Sequence, residues 1–244
     1  MTFKEQRFKQ IASNPNNADL VKASDEFFLE TVKARYSYNF DWLGFPVIQY
    51  PQDLVALQEI KIETKPNLII ETGFARGGSS IFFASMQSLV FNDASSNTNV
   101  ITIDISFNQE CLGKVMSSRF GDRIIPIEGS STDHQIFLKV KELATEFDSV
   151  MVFLDSMHTS SHVLQELRLY SKLVSPGNFI CVMDTAIGYL PNAMHNDRPW
   201  STNDSPLQAA NKFLNENDQY MHRDDIDNKL LVSVARNGYL QRKS

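Results

Sequence analysis

The chain of 244 residues has only two cysteines, no excess of basic charge and no long apolar run. Cys111 and Cys181 each lie in an apolar setting, which is typical of buried thiols in a cytoplasmic protein rather than of a disulfide framework. A net charge of -6 argues against nucleic-acid binding through a basic face. No segment approaches the ~20 continuous apolar residues of a membrane-spanning helix, and the first residues lack the apolar core of a secretory signal. We therefore expect a cytoplasmic globular protein with neither nucleic-acid nor membrane partners.

From Asn67 onward, the sequence alternates between short apolar segments and helical patterns. Strands are predicted at residues 68–71, 100–104, 123–127, 150–155 and 179–184. Helices are predicted between them at 79–90, 109–118, 134–147 and 162–173, followed by a helix at 207–214 and a strand near 230–234. Near-continuous apolar strands that alternate with helices predict an α/β fold with a mostly parallel, doubly wound sheet.

The first 66 residues differ from this pattern. Helical spacing extends to about residue 35, aromatic residues concentrate between Tyr36 and Tyr50, and residues 54–60 are again helical in pattern. We divide the chain into an N-terminal helical and aromatic cap segment, 1–66, and a sheet domain, 67–244. The aromatic residues either cover a bound substrate, pack on the sheet or contact a second subunit, so a homo-oligomer is expected. An Asn- and Ser-rich stretch at 92–99 is predicted to be a surface loop.

A glycine-rich turn follows the first predicted strand, in the segment Glu71-Thr-Gly-Phe-Ala-Arg-Gly-Gly-Ser79. Its glycine spacing does not fit the dinucleotide fingerprint, and it lacks the lysine of a P-loop. The carboxylate of Glu71 would repel a phosphate but suits a cation or a ribose hydroxyl. S-adenosylmethionine has an amino group, a sulfonium and a ribose but no phosphate, so the turn predicts this cofactor. The alternative is a structural strand-to-helix turn in another α/β protein.

The second predicted strand ends at Asp104. One helical crossover separates it from Glu71, which places the two acidic residues side by side at the carboxyl edge of a parallel sheet. Ligands of such sheets bind outside that edge, so Asp104 is predicted to bind the ribose of the cofactor. The alternative is that Asp104 caps a helix or lies in a loop.

Two further acids, Asp155 and Asp184, end the fourth and fifth predicted strands. If these strands are neighbours, they lie ~4.8 Å apart and the carboxylates face one another. Carboxylates that close share a proton or a cation, and Mg²⁺ is the default ion for oxygen ligands. His158, three residues past Asp155, would then be placed at the rim to accept a proton from a substrate hydroxyl.

Structural alternatives exist for each of these residues. Asp155 caps the next helix or His158 packs in its loop. His158 and His162 stand four residues apart, so a nitrogen-rich metal site is an option, but the sequence offers no third nitrogen or sulfur ligand. Arg76 binds a substrate anion or a carboxylate, or else lies on the surface.

Several motifs resemble those of the cephalosporin hydroxylase family, which includes sugar O-methyltransferases of macrolide and glycan pathways. The resemblance extends from about Tyr36 to the C-terminus. It is carried by Gln49-Tyr-Pro51, the glycine-rich segment, Leu154-Asp-Ser-Met-His-Thr159, Leu173-Val-Ser-Pro-Gly177, and Asn228-Lys-Leu-Leu with Asn237-Gly-Tyr-Leu.

The resemblance implies a Rossmann-like class I methyltransferase fold, S-adenosylmethionine as methyl donor and a divalent metal, usually magnesium. It implies that Asp155 and Asp184 bind the metal and that His158 is the general base, with Asp155 also part of the catalytic group. The predicted donor-binding residues are Glu71, Gly73, Arg76, Gly77, Ser79, Asp104 and Ser130.

Two positions depart from the family pattern. Relatives commonly have Glu-Asp at the end of the fifth strand, where this chain has Met183 before Asp184. One carboxylate ligand is therefore missing, and metal binding is weaker, recruits another acid or is lost. Relatives often have Gly-Asp where this chain has Gly129-Ser130, so Ser130 is expected to bond the adenine in place of the acid.

We interpret the sequence as an S-adenosylmethionine-dependent, metal-assisted O-methyltransferase that acts on a sugar or glycoside hydroxyl in glycan or natural-product biosynthesis. One alternative is an oxygenase of the same family with iron between the same acids. It would require two histidines and a carboxylate, and only one histidine is well placed. Another alternative is a non-catalytic donor-binding partner protein, which Met183 keeps open. The sequence does not define the acceptor.

Overall fold

The computed structural model describes residues 1–91 and 97–244, so most of the loop predicted at 92–99 lies outside the described residues. The α-helices of the described part are α1 (Phe3–Ser13), α2 (Ala18–Lys33), α3 (Pro51–Thr64), α4 (Gly78–Val90), α5 (Gln109–Met116), α6 (His134–Ala144), α7 (Ser160–Tyr170), α8 (Pro206–Glu216) and α9 (Asp224–Leu230). The strands are β1 (Asp41–Trp42), β2 (Phe45–Pro46), β3 (Leu68–Thr72), β4 (Asn99–Asp104), β5 (Ile124–Glu128), β6 (Val150–Leu154), β7 (Phe179–Val182), β8 (Tyr220–His222) and β9 (Tyr239–Arg242).

Strands β3 to β9 form one sheet in the order β5-β4-β3-β6-β7-β9-β8. Strands β3 to β7 are parallel to one another, whereas β9 runs antiparallel to both β7 and β8. Every residue of β3 and β6 is buried, because helices cover both faces of the sheet. The predicted α/β fold with a mostly parallel, doubly wound sheet is therefore confirmed.

The strand register brings the ends of the central strands to one edge of the sheet. Thr72 at the end of β3 lies opposite Ile103 of β4 and Leu154 of β6, and Leu154 lies opposite Val182 of β7. The residues that follow these positions therefore meet above the middle of the sheet. In a parallel sheet whose strand order reverses at β3, this edge is where ligands bind.

The C-terminal part differs from the prediction. Residues 230–234 do not form a strand: Leu230 ends α9, and Val232 and Val234 lie in a buried loop. The sheet is completed instead by β8 and β9, which pair with each other and with β7. Val232 and Val234 are buried in a loop and not in a strand, and this loop is held to α3 because the Ser233 hydroxyl and the backbone N–H of Val234 donate to the buried carboxylate of Asp53.

The cap segment packs on the sheet domain. Its α3 places Ala56, Leu57 and Ile60 in the apolar cluster on one face of the sheet. The short β1–β2 hairpin lies over α4, where the indole N–H of Trp42 donates to Ser85 at 2.9 Å and the ring packs edge-on against Phe82. Among the described residues, every helix is too short or too polar to cross a bilayer.

Candidate active site

The glycine turn after β3 is held tightly against the loop that follows β6. Gly73 has φ +91°, in the left-handed region that favours glycine, and its N–H donates to the carbonyl of Ile103 at 2.8 Å. A Cβ at this position would lie 2.7 Å from the carbonyl carbon of Asp155 and closer still to its oxygen. The turn therefore requires glycine, and the contact brings the glycine motif and Asp155 together.

Asp104 is fixed at the end of β4 by two backbone donors. Its Oδ2 accepts from the N–H of Phe74 at 2.9 Å, and its Oδ1 accepts from the N–H of Ser106 at 3.2 Å. The half-buried carboxylate is thereby oriented beside the glycine turn. Each oxygen keeps further lone-pair capacity, which suits acceptance of ribose hydroxyl protons.

A cavity of about 290 Å³, here called the sheet cavity, opens at this edge. Its lining includes four of the predicted site residues, namely Gly73, Asp104, Ser130 and Asp155, together with Ser131, Met157 and His162. The structure thus brings together residues that come from the ends of β3, β4, β5 and β6. Its mixture of apolar walls and a few polar groups is typical of a small-molecule site.

The remaining predicted donor-binding residues lie outside the lining of the sheet cavity. Gly77 caps the start of α4 with φ +81°, and Ser79 lies in the first turn of that helix. Arg76 lies beside Cys111, with Nη1 3.9 Å from its sulfur, and lines a separate hollow with Glu110.

Glu71 is fully buried behind the cavity. The hydroxyl of Ser80 donates to its Oε2, and its Oε1 has no hydrogen-bond partner among the described residues. Burial raises the pKa of Glu71 to about 7, against the opposing effect of the neighbouring hydroxyl groups. A contact between Glu71 and the donor stays a prediction.

The nitrogen-rich metal site that the sequence left as an option does not form. His162 faces the sheet cavity, where its Nε2 lies 3.1 Å from the Ser131 hydroxyl, 3.2 Å from that of Ser156 and 3.4 Å from the buried carboxylate of Glu166. These groups hold the ring in a polar network of its own. In the described part of the chain, the cluster with metal-ligand spacing contains His158 as its single imidazole.

That cluster consists of Asp155, His158 and Asp184, each of which offers a ligand atom within 4.8 Å of the others. Adjacent pairing of β6 and β7 produces this closeness, as the sequence predicts for neighbouring strands. Nε2 of His158 lies 3.1 Å from Oδ2 of Asp184. Burial raises the pKa of Asp155 well above its usual range, and the nearby charge of Asp184 raises it further.

The donor set of the cluster fits a divalent cation. Two carboxylates converge, and the buried Oε1 of Gln49 has no partner among the described residues, although the Nε2 of that side chain donates to Asp155 at 2.8 Å. Oxygen ligands of this kind suit Mg²⁺. Met183 does not contribute, because its side chain is 1% exposed and lies in the apolar core. At the position where the family resemblance predicts a carboxylate, this chain therefore has an apolar side chain that packs in the core.

A second cavity of about 470 Å³, here called the cap cavity, lies between the cap segment and residues 184–200. His158 and Asp184 line it, together with Tyr38, Gln49, His195 and Trp200. Trp200 packs edge-on against the His158 ring with centroids 4.7 Å apart. His195 is buried, and its Nε2 has no partner among the described residues. Burial lowers the pKa of His195, which favours the neutral ring, whose unprotonated nitrogen can accept a hydrogen bond.

Sequence reasoning missed Trp200 and His195 as site residues, because neither belongs to a motif or to a strand end. Gln49 carried a signal, since it begins the Gln49-Tyr-Pro51 motif, but its contact with Asp155 spans 106 positions of the chain. The chain contains only two tryptophans, and one of them lies in the polar loop that lines the cap cavity. A tryptophan in a polar segment is a weak signal of a binding surface.

The strand order, the glycine turn and Asp104 at the sheet edge define the class I, Rossmann-like methyltransferases. The model of the rhamnosyl O-methyltransferase/CmcI family matches residues 34–243, and the chain belongs to this family. The family expected from the motifs is confirmed, and with it the predicted enzyme class of S-adenosylmethionine-dependent O-methyltransferases.

Individual relatives agree with this assignment. The rhamnosyl O-methyltransferase of Mycobacterium tuberculosis H37Rv is 30% identical over 206 residues, which cover 82% of this chain and 77% of that protein. The apo structure of CmcI-N160 superposes with a TM-score of 0.61 at 17% identity, over 85% of this chain and 77% of that one. A structure of CmcI-D160 with Mg and SAM gives a TM-score of 0.60 at 16% identity, over 85% and 78% of the two chains. These structures confirm the fold.

Proposed function

We propose that the protein transfers the methyl group of S-adenosylmethionine to a hydroxyl of a sugar or glycoside. One observation carries the proposal: the cluster of Asp155, His158 and Asp184 lies between two cavities. Asp155 lines the sheet cavity, and His158 and Asp184 line the cap cavity. A donor on one side and an acceptor on the other would meet at the carboxylates and the imidazole.

The donor side uses the sheet cavity. We expect Asp104 to accept the ribose hydroxyl protons and Ser130 to bond the adenine, and their presence in the lining of this cavity supports both roles. Gly73 has no side chain, so its backbone leaves room for a ligand against the loop at Asp155. The sulfonium of the donor is stabilised by the negative charge of the acids at this edge.

The acceptor side uses the cap cavity and His158. A carboxylate accepts a hydrogen bond, so we assign the ring proton of neutral His158 to Nε2, which faces Asp184. The unprotonated Nδ1 then accepts the proton of the acceptor hydroxyl as the methyl group is transferred in line. Asp184 stabilises the imidazolium that results, and Trp200 holds the ring in place.

Asp155 and Asp184 would hold a divalent cation, with magnesium the ion that their oxygen chemistry favours. When bound, such a cation supplies positive charge that eases ionisation of a hydroxyl. The carboxylates of Asp155 and Asp184 would hold that charge. Asp184 lines the cap cavity, where the aromatic rings of Tyr38 and Trp200 would provide stacking surfaces for a sugar.

The structure also bears on the alternatives. An oxygenase with two histidines and one carboxylate at iron is disfavoured, because the cluster in the described residues has one imidazole. A non-catalytic partner protein would have no need for an oriented imidazole between two cavities. The names of the relatives support rhamnosyl groups as the first acceptors to test.

Replacement of His158 tests the mechanism. The variant His158→Ala is expected to lower turnover by roughly 10²–10⁴-fold and to leave donor affinity nearly unchanged, because general-base catalysis contributes that much and His158 lies outside the sheet cavity. Turnover is measured by mass spectrometry, as the gain of one methylene on rhamnosides, other glycosides and nucleotide sugars. Donor affinity is measured by calorimetry.

The matched control is His134→Ala, which removes an exposed imidazole at the start of α6. It should leave both quantities unchanged. Wild-type turnover in His158→Ala would remove His158 from the mechanism, and the absence of donor binding in the wild type would remove the methyltransferase proposal as a whole.

We further propose that the protein works in the cytoplasm as a homo-oligomer. Two free thiols among the described residues support the first point. Exposed apolar side chains on the cap segment support the second, namely Phe3, Phe8, Phe27, Tyr38 and Leu43. Light scattering over a range of protein concentrations measures the state of association.

A further inference from the structure

Gln49 is an uncharged polar side chain that hydrogen-bonds to the acid cluster of Asp155, His158 and Asp184. It follows the β1–β2 hairpin and precedes α3, and it is 2% exposed. Its Nε2 donates to Oδ2 of Asp155 at 2.8 Å. The side chain also lines the cap cavity together with His158 and Asp184. Gln49 thus lies where the two cavities meet.

The amide oxygen of Gln49 has no hydrogen-bond partner among the described residues, although it is buried. Buried polar atoms in folded proteins are almost always paired, so such an atom indicates a missing partner. The nitrogen and oxygen of an amide are only about 2.3 Å apart, which follows from the bond lengths at the shared carbon. Oε1 therefore lies within about 5 Å of Oδ2 of Asp155. A half-turn of the amide would place it where Nε2 now lies, 2.8 Å from Oδ2, which is close to the spacing of adjacent oxygen ligands around one small divalent ion.

The cluster also lacks one acid. Met183 occupies the position where the family resemblance predicts a carboxylate, and its side chain is buried in the apolar core. Two carboxylates, those of Asp155 and Asp184, then remain to bind a cation. A further oxygen from the opposite side would complete a set that suits a hard divalent ion, whose ligands include side-chain amide carbonyls as well as carboxylates.

We propose that Gln49 is the third protein oxygen ligand of a divalent cation at Asp155 and Asp184, and that its amide oxygen takes the place of the carboxylate missing at Met183. This inference rests on the proposed function, because it concerns the metal of the same site. A half-turn of the amide exchanges its nitrogen and oxygen and directs the oxygen toward the ion. Asp155 would then lose the hydrogen bond from the amide N–H and would bind the cation instead.

The substitution of a neutral ligand for an acid has two consequences. The two carboxylates and the amide carry a charge of about -2 instead of -3, so affinity for the ion is lower than with three acids. The third ligand also comes from the cap segment and not from the sheet domain. Metal binding therefore tightens the contact between the cap segment and the sheet edge, beside the acceptor cavity.

Metal affinity of two Gln49 variants tests this inference. Mn²⁺ is titrated into the full-length protein and followed by electron paramagnetic resonance, and Mg²⁺ by calorimetry, with no methyl acceptor present. Gln49→Leu should weaken binding by roughly 10–100-fold, the range for partners that support a metal site. Gln49→Glu, of nearly the same shape, should strengthen binding by about 10-fold because it restores the third charge.

The matched control is Gln52→Leu. Gln52 begins α3 three residues further on, and its amide oxygen is also buried without a partner among the described residues, but it lines neither cavity. This variant should bind metal as the wild type does. Calorimetry with S-adenosylmethionine shows that each variant is folded. If Gln49→Leu does not fold, Gln49→Glu still decides, since only a ligating side chain gains affinity from the added charge.

Wild-type metal affinity in folded Gln49→Leu, or weaker binding in Gln49→Glu, would overturn the role of Gln49. The absence of any metal binding by the wild type would also overturn it. In that case retained binding of S-adenosylmethionine and methyl transfer without metal would leave the proposed methyltransferase function standing, so the two failures are distinguishable.

Discussion

Because Gly73 has no side chain, the glycine turn after β3 can pack against the backbone of Asp155 after β6. We predict that Gly73→Ala abolishes binding of S-adenosylmethionine and lowers the free energy of unfolding by several kcal/mol. The left-handed backbone costs roughly 1–2 kcal/mol for a residue with a Cβ, and overpacking against the Asp155 carbonyl adds about 1–3 kcal/mol. Urea unfolding and calorimetry with the donor measure the two effects.

Gly44→Ala is the control for this prediction. Gly44 also has a left-handed backbone, with φ +85°, but a Cβ there meets no atom within 4 Å. The variant should lose only the smaller, conformational part of the stability and should keep donor binding. Equal losses in the two variants would mean that the contact with Asp155 has no role in shaping the cavity.

The positions of several predicted site residues follow from the ends of the strands, whereas their roles stay predictions. Gly73, Asp104, Ser130 and Asp155 all line the sheet cavity because parallel strands end at one edge. The same rule places Asp184 next to Asp155. The position of a strand end does not determine whether a side chain there points into the cavity or into the protein interior. Glu71 lies near a strand end but is buried outside the cavity lining.

At the scale of elements, the buried Asp53 joins α3 to the loop before β9. Its carboxylate accepts from the Ser233 hydroxyl at 2.5 Å, the Val234 N–H at 3.0 Å and the Tyr239 hydroxyl at 2.6 Å. Burial raises the pKa of Asp53 from 3.8 to about 6, against the opposing effect of these donors. The link between two elements distant in sequence is therefore sensitive to pH.

We predict that Asp53 destabilises the fold as the pH rises from about 4 to about 6. Below this window the carboxyl is protonated in both states. Within it the unfolded chain ionises while the native state still holds the proton, so the free energy of unfolding falls. A difference of about two pKa units corresponds to about 3 kcal/mol, and the loss is complete above the native pKa of about 6.

Asp53→Asn isolates this contribution, because the amide keeps the shape, accepts from Val234 and donates to one of the two hydroxyls. The difference in unfolding free energy between wild type and variant should change by up to about 3 kcal/mol between pH 4 and 7 in urea titrations. The exposed Asp41→Asn should show no such change. A constant difference between wild type and Asp53→Asn over this range would contradict the assignment.

Strands and helices could be predicted where the spacing of apolar residues along the sequence was regular. The alternation of apolar strands and helices from Asn67 to about residue 214 matches the structure, with shifts of a few residues at the ends. The pattern failed after α8, where apolar side chains at 232–234 are buried in a loop fastened by Asp53. Their burial depends on a partner about 180 positions earlier, and no local pattern contains that information.

At the scale of the whole molecule, the cap segment and the sheet domain share one apolar cluster. Tyr50 and Leu57 of the cap segment pack in the same cluster as Phe153 and Phe179 of the sheet. The division of the chain at residue 66 stays a prediction about sequence organisation. The common core indicates that the two parts fold as a single cooperative unit.

We predict that the full chain unfolds in one transition, with equal calorimetric and van't Hoff enthalpies, and that a chain of residues 67–244 does not fold by itself. The shortened chain would expose the sheet face that α3 covers and would leave the buried groups of Ser233, Val234 and Tyr239 without the Asp53 carboxylate that accepts from them. It should keep its far-UV circular dichroism, lose its near-UV circular dichroism and bind no S-adenosylmethionine.

A chain that begins at Asn17 is the control, because α1 has no buried residue and its removal should leave a cooperative transition. A sharp transition and donor binding by residues 67–244 would instead establish that the sheet domain is autonomous and that the cap segment serves only the acceptor side.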